Sequence, residues 1–330
     1  MKTATGDDAN QVVLDKPKAR ATTKPAVDTA DSETGQAVKE SKIYIDGKFF
    51  REQDAKVSVF DHGLLYGDGI FEGIRFYNGR VFRLEAHLER LWDSARSICL
   101  EIPMSVPAMT EAVLETIRQN DLRDGYIRLI VTRGVGNLGL NPVQCKKPSV
   151  IIIAATVALY PAEFYTRGLT VVTCATRRTS PSALNPAVKS LNYLNNVMAR
   201  IEANLAGADE ALMLNEAGNV SECTADNVFV IKHGQIFTPP ISAGALRGIT
   251  RAVAFELAAE MGVRITETDI TRHDVFIADE CFLTGTAAEV IPVIKADGRV
   301  IGNGTPGPIT TRMIARFREM TRATGTPIYG

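Results

Sequence analysis

Four ionisable residues stand alone in long uncharged stretches of this 330-residue chain. Such side chains are the ones that folding buries and perturbs. Lys189 is the only charge between Arg178 and Arg200, and Glu222 the only one between Glu216 and Asp226. Arg247 is the only full charge between Lys232 and Arg251, and Glu289 the only one between Glu280 and Lys295. The plain alternative for each is an exposed charge at a loop or strand end. A lysine held in a dry site offers its amine as a nucleophile and Schiff-base former. A lone buried glutamate would complement a cation, and the pyridinium nitrogen of pyridoxal phosphate is one such partner. A phosphate would need a helix N-terminus with accessible backbone N–H groups, which Gly248-Ile249-Thr250 supplies just ahead of an apolar helical run. Thr284-Gly-Thr286 could add a second set of donors.

These side chains need a scaffold, and its elements are written in the spacing of apolar residues. Asp46-Gly47 and Asn78-Gly79 mark two tight hairpins, since both residues of such turns take positive φ, so the early part reads as antiparallel sheet. Leu84, Leu88, Leu91, Ala95 and Ile98 form one helical stripe, and a second helix starts near Pro107. Strands are expected over 126–133 and 150–157. Pro161 and Gly168 interrupt the pattern and place a boundary there. Beyond it, strands near 169–176, 210–214, 227–231, 264–268 and 281–283 mix with helices near 195–206, 250–261 and 308–321. Hairpins without strict β-α-β alternation indicate α+β with mixed sheets. The expected organisation is a disordered tail over 1–41, a smaller N-terminal α/β domain over 42–160, a linker over 161–168 and a larger C-terminal domain over 169–330.

Six separated motifs carry a resemblance. They are Asp61-His-Gly-Leu-Leu-Tyr-Gly-Asp-Gly-Ile-Phe-Glu-Gly-Ile-Arg75, Phe82-Arg-Leu-Glu-Ala-His-Leu-Glu-Arg-Leu91, Lys189-Ser-Leu-Asn-Tyr193, Ser221-Glu222 with Asn227, Leu246-Arg-Gly-Ile-Thr250 and Thr284-Gly-Thr-Ala-Ala-Glu289. In this order, over about residues 42–320, the chain resembles the branched-chain aminotransferases, which are fold-type IV pyridoxal-phosphate enzymes with a mixed, barrel-like large domain. The resemblance implies that Lys189 carries the cofactor as a Schiff base and then moves the substrate's α-proton. It implies that Glu222 pairs with the pyridinium and Tyr193 with the phenolic oxygen. Arg83, Ile249, Thr250 and Thr286 are implied at the phosphate, next to Gly248 with its room for close approach, and Leu246 against the ring. Tyr126, Thr286 and Ala287 are implied at the substrate carboxylate, and Arg128 at the distal carboxylate of glutamate or 2-oxoglutarate. Phe71 and Tyr66 are implied to wall the side-chain pocket, Tyr66 from a neighbouring subunit of a homodimer or larger homo-oligomer. His62 and His87 are expected to be structural, and no role is expected for Glu289. The implied reaction is transamination of leucine, isoleucine and valine with 2-oxoglutarate. A D-amino-acid aminotransferase or an aminodeoxychorismate lyase of the same fold is the alternative.

Composition narrows the field independently. With 37 Lys plus Arg against 38 Asp plus Glu, the chain lacks the basic surplus of a nucleic-acid binder. Five scattered cysteines without a C-x-x-C favour neither a disulfide framework nor a metal site, and fit a reducing cytoplasm. No apolar run reaches the roughly 20 residues that a membrane-spanning helix needs. Gly134-Val-Gly136-Asn-Leu-Gly139 does spell a dinucleotide fingerprint, which would make the chain a nicotinamide dehydrogenase. However, Asn141-Pro142 follows at once, and no Asp or Glu for a ribose occurs from Gly125 to Ala162.

Overall fold

A computed structural model describes residues 40–156 and 160–329. The tail expected over 1–41 therefore lies outside the described residues except for its last two positions, as does the Val157 end of one expected strand. The first elements are β1 (Lys42–Ile45), β2 (Lys48–Arg51), α1 (His62–Tyr66), β3 (Gly69–Tyr77), β4 (Arg80–Val81), α2 (Leu84–Ser97), α3 (Val106–Asn120), β5 (Gly125–Thr132) and β6 (Ser149–Ala155). They are followed by α4 (Phe164–Arg167), β7 (Leu169–Thr173), α5 (Leu194–Leu205), β8 (Glu210–Leu214), β9 (Val220–Cys223), β10 (Asn227–Lys232) and β11 (Gln235–Thr238). The last are α6 (Ile249–Glu260), β12 (Ile265–Glu267), α7 (Arg272–Phe276), β13 (Glu280–Gly285), β14 (Glu289–Ala296), β15 (Arg299–Val300), α8 (Pro308–Ala323) and β16 (Thr326–Pro327).

The first sheet has the order β16-β4-β3-β5-β6-β1-β2 and is antiparallel throughout. Both hairpins form as the dipeptides require, with Asp46 and Gly47 at φ 49° and 88° and Asn78 and Gly79 at 49° and 72°. Alternation along β3 divides its residues between two environments. Ile70, Ile74 and Phe76 pack under Leu84, Leu88 and Leu91 of α2 and Met109, Val113 and Ile117 of α3. The odd-numbered residues Phe71, Gly73, Arg75 and Tyr77 lie on the other face.

The second sheet runs β12-β11-β10-β13-β14-β7-β8-β9, with β15 on β14. It is mixed, because β11–β12, β14–β7 and β7–β8 are parallel pairs. Helices α6 and α8 cover one face through Val253, Leu257, Met313 and Phe317, against Phe229 and Phe282, whose rings stack at 4.8 Å. The opposite face buries Leu212, Val228, Leu283 and Ile291. An α+β architecture with one antiparallel and one mixed sheet is thus observed, and β16 returns to the first sheet from beyond residue 169.

The glycine triplet at 134–139 opens no helix. It forms a loop after β5, and a Cβ on Gly136 would sit 2.6 Å from His62 Nε2. The loop turns tightly because it packs on α1, and the dinucleotide geometry is absent from it. Among the described residues, no helix is long and apolar enough to cross a membrane.

Candidate active site

Lys189 lies on the segment linking β7 to α5, and its backbone is fastened to the edge of β3. The Lys189 carbonyl accepts from Phe71 N at 3.0 Å, Leu191 N donates to Gly69 O at 2.9 Å, and Lys189 N donates to Ser94 Oγ of α2 at 3.2 Å. Its Nζ donates to Tyr193 Oη at 3.0 Å and lies 4.6 Å from the centre of the Phe71 ring. Both aromatic groups line a cavity of about 400 Å³ between the two sheets.

The same cavity gathers Tyr126, Arg128, Glu222, Leu246, Gly248, Ile249, Thr250, Thr286 and Ala287. Tyr126 and Arg128 share a face of β5, and Arg128 Nη2 donates to Tyr126 Oη at 3.0 Å while its guanidinium lies 4.6 Å over Phe71. Glu222 is part of the lining and is buried. Its Oε1 meets Arg178 Nη2 at 2.7 Å, and its Oε2 accepts from Leu246 N at 2.9 Å and Asn227 Nδ2 at 3.1 Å. Burial pushes the Glu222 carboxyl above its ordinary range, against the pull of Arg178 and of the Leu246 N–H. A cation on the cavity side would relieve that penalty.

At another wall is the N-terminus of α6. Its N-cap, Gly248, contributes no side-chain cap, and its first turn contains no acidic residue, so the first N–H groups are left for another acceptor. A Cβ on Gly248 would fall 2.0 Å from Asn227 Oδ1, so only glycine lets the strap after Leu246 lie this close. Thr284 Oγ1, also on the wall, is buried with no hydrogen-bond partner among the described residues.

Two expected residues are elsewhere. Arg83 does not reach the cavity: it precedes α2 with φ 53°, pairs with Glu256 of α6 and lines a separate surface groove with Trp92 and Met320. Arg90, two turns into α2, takes the wall position. Its Nε and Nη2 grip Glu72 of β3 at 2.8 and 2.7 Å, and its Nη1 donates to Arg247 O at 2.7 Å. Three of a guanidinium's five N–H donors are thereby used to aim the rest. Against the burial that would raise it, Arg90 and His87 hold Glu72 down at about 2. Tyr66 is likewise outside the cavity of its own chain; it is 37% exposed, and its hydroxyl donates to Leu138 O at 2.5 Å. Of the lone charges, Arg247 offers the site only its carbonyl, and Glu289 stands just behind the Thr286 turn.

Sequence reasoning also missed Arg178, Glu72 and Arg90. Glu72 is itself a lone charge between Asp68 and Arg75, so a shorter window would have found it. Both histidines are buried, His62 Nε2 at 2.8 Å from Asn137 O and His87 Nδ1 at 2.7 Å from Glu72.

Phosphate, ring cation and aldehyde each have a chemically matching group here. The uncapped helix start, Arg90 and the unpartnered Thr284 hydroxyl suit an anion. Buried Glu222 suits a protonated ring nitrogen, and Lys189 suits a carbonyl. Pyridoxal phosphate therefore fits the residues present.

Known proteins agree with this geometry. The family described as amino-transferase class IV matches residues 69–296. A Methanocaldococcus jannaschii protein, provisionally named a branched-chain-amino-acid aminotransferase, is 52% identical over 288 residues, which is 87% of this chain and 99% of the relative. The branched-chain aminotransferase of Thermoproteus uzoniensis, solved with norvaline, is 37% identical with a TM-score of 0.82, covering 88% of this chain and 100% of that one. The branched-chain amino acid aminotransferase of Thermobaculum terrenum in its PLP-form is 30% identical with a TM-score of 0.78, covering 86% and 94%. A match across both sheets and every cavity wall makes the assignment: the chain belongs to the class IV aminotransferases, within the branched-chain-amino-acid group.

Proposed function

We propose that this cavity holds pyridoxal 5′-phosphate and transfers the amino group of L-leucine, L-isoleucine and L-valine to 2-oxoglutarate, giving branched 2-oxo acids and L-glutamate. The observation that carries the reading is one cavity lined together by Lys189, Glu222, Arg90 and the start of α6. When bound, the cofactor supplies an electron sink that lets an amino acid's α-hydrogen leave as a proton. Lys189 is the only lysine on the wall among the described residues, so its Nζ takes that proton. In the other half-reaction it delivers one to the α-carbon of the 2-oxo acid. Tyr193 orients the amine through the 3.0 Å hydrogen bond. Glu222 holds the ring nitrogen charged, while Arg178 keeps the carboxylate ionised from behind. Gly248, Ile249, Thr250 and Thr286 hold the phosphate with Arg90, and Leu246 packs on the ring.

Substrate choice follows from the remaining wall. Tyr126 and the Thr286–Ala287 turn receive the α-carboxylate, and Phe71 presents an apolar face to a branched side chain. Arg128 answers the distal carboxylate of glutamate. With a branched substrate bound it remains satisfied, because it donates to Tyr126 and lies over the Phe71 ring. Tyr66 would complete the pocket of a second subunit.

The purified protein should absorb in the visible with pyridoxal phosphate, and Lys189→Ala should lose that band. L-Leucine should serve as amino donor with 2-oxoglutarate. A protein that never takes up the cofactor, or one that uses D-alanine and not L-leucine, would overturn the proposal.

A further inference from the structure

Glu289, like the Arg247 guanidinium, is a lone charge that the chemistry above leaves unused. It opens β14 with φ 60°, in the left-handed region that an L side chain rarely adopts. Its Cα pairs with Gly285, so Thr286, Ala287 and Ala288 form the hairpin loop and Glu289 closes it in a conformation that glycine adopts without steric cost. A glutamate there is strained where glycine would not be, and the reason lies in its side chain. Tyr77 Oη donates to Glu289 Oε1 at 2.9 Å, and Arg75 Nη2 stands 3.8 Å from the same oxygen. The Arg75 guanidinium lies 4.9 Å over the Tyr77 ring, and Tyr165 Oη donates to Ala288 O at 3.1 Å.

Arg75 and Tyr77 continue the face of β3 on which Phe71 and Gly73 line the cavity. A single strand of the first sheet therefore forms one wall of the site and grips the hairpin tip of the second sheet that forms the facing wall. We infer that Glu289 is a positioning residue: clamped by Tyr77 and Arg75, it fixes the distance between the Thr286–Ala287 turn and β3, and so the fit of the substrate's α-carboxylate. Burial and the neighbouring Glu289 carboxylate raise the Tyr77 hydroxyl above its ordinary range, so it stays a neutral donor throughout the working pH range.

The inference rests on the cavity being the amino-acid site, and the test separates the two. Binding of 4-methylpentanoic acid, which cannot react, to the holoenzyme is measured by calorimetry, with KM, kcat and the melting temperature alongside. Glu289→Gly removes the clamp and the backbone strain together, so the variant should fold and melt close to wild type. It should bind the acid about ten-fold more weakly, as should Tyr77→Phe, from loss of a hydrogen bond to a charged group. KM for leucine should rise by a similar factor with kcat changed less. Cofactor affinity should fall less, because Lys189, Arg90 and the α6 start hold that group independently. Glu289→Gln keeps an acceptor for Tyr77 and should recover most of the loss. Unchanged acid affinity in both Glu289→Gly and Tyr77→Phe would overturn the clamp while leaving the proposed function standing. Losses that follow melting temperature, with Glu289→Gln no better than Glu289→Gly, would overturn it as well. Wild-type enzyme that fails to bind the acid at all would remove both readings.

Discussion

Glu222 and Arg178 form a buried ion pair whose removal on one side strands a charge. Breaking such a pair costs about 3–5 kcal/mol. Glu222→Gln keeps the contacts to Leu246 and Asn227 and should therefore fold, with turnover reduced at least about 100-fold because the ring nitrogen loses its partner. Near-normal turnover in that variant would count against the pyridinium role. A few residues on, Asp226 lies buried, and its Oδ2 has no hydrogen-bond partner among the described residues. Burial, with Glu210 and then Glu222 nearby, pushes it up to about 8. Between the ordinary carboxyl range and about 8, the folded chain holds a proton that the unfolded chain has lost. Stability therefore falls as pH rises through that window and levels off above it. Asp226→Asn abolishes the difference, so its advantage over wild type in urea denaturation should widen from pH 5 to pH 8 and then stay flat. A gap independent of pH would contradict this. At this scale Lys189 and Glu222 were legible because uncharged sequence surrounds them. Arg90 was not, since Glu85, His87 and Glu89 flank it, and only the fold shows that it faces Glu72.

Elements transmit these choices through strand-to-helix contacts. The Glu72 bridge joins β3 to α2, and its carboxylate contributes stability above the ordinary carboxylate range that is lost as pH falls toward 2. Glu72→Gln should cost about 3 kcal/mol in urea denaturation at pH 7. It should also weaken titration of the apoenzyme with pyridoxal phosphate, because Arg90 is no longer aimed. Full cofactor affinity in the variant would show that Arg90 does not need this bridge. Most long elements were readable from apolar periodicity, and α6 and α8 differ from expectation by one or two residues. Strands β9, β11 and β14 were not read. In β14, Pro292 argues against a central strand, yet pairing with β7 starts only at Val293, so the missing N–H is not needed on that side.

The described residues leave an apolar surface uncovered among themselves. Val57, Val59, Phe60 and Leu64 are exposed beside Val135, Leu138, Leu140 and Val143, and the two segments touch through Gly136 N donating to Phe60 O at 3.2 Å. Tyr66 belongs to the same surface. A patch of this kind suits a second copy of the chain. Light scattering should give at least a dimer, and Phe60→Asp with Leu140→Asp should shift it toward monomer with loss of activity. An active wild-type monomer would refute the shared pocket. Sequence periodicity could not reveal this face, since its residues lie in loops and in the single short turn of α1.

The return of β16 has a consequence for synthesis. Ile328 completes the core beneath β3, and Gly325 O accepts from Arg80 Nη1 across 245 positions. At about 5–20 residues per second, a ribosome takes about 12–50 s to make that interval. Throughout it, the nascent first sheet has an open β4 edge and an unplugged core, a template for wrong strand pairing that closes only once β16 has been made.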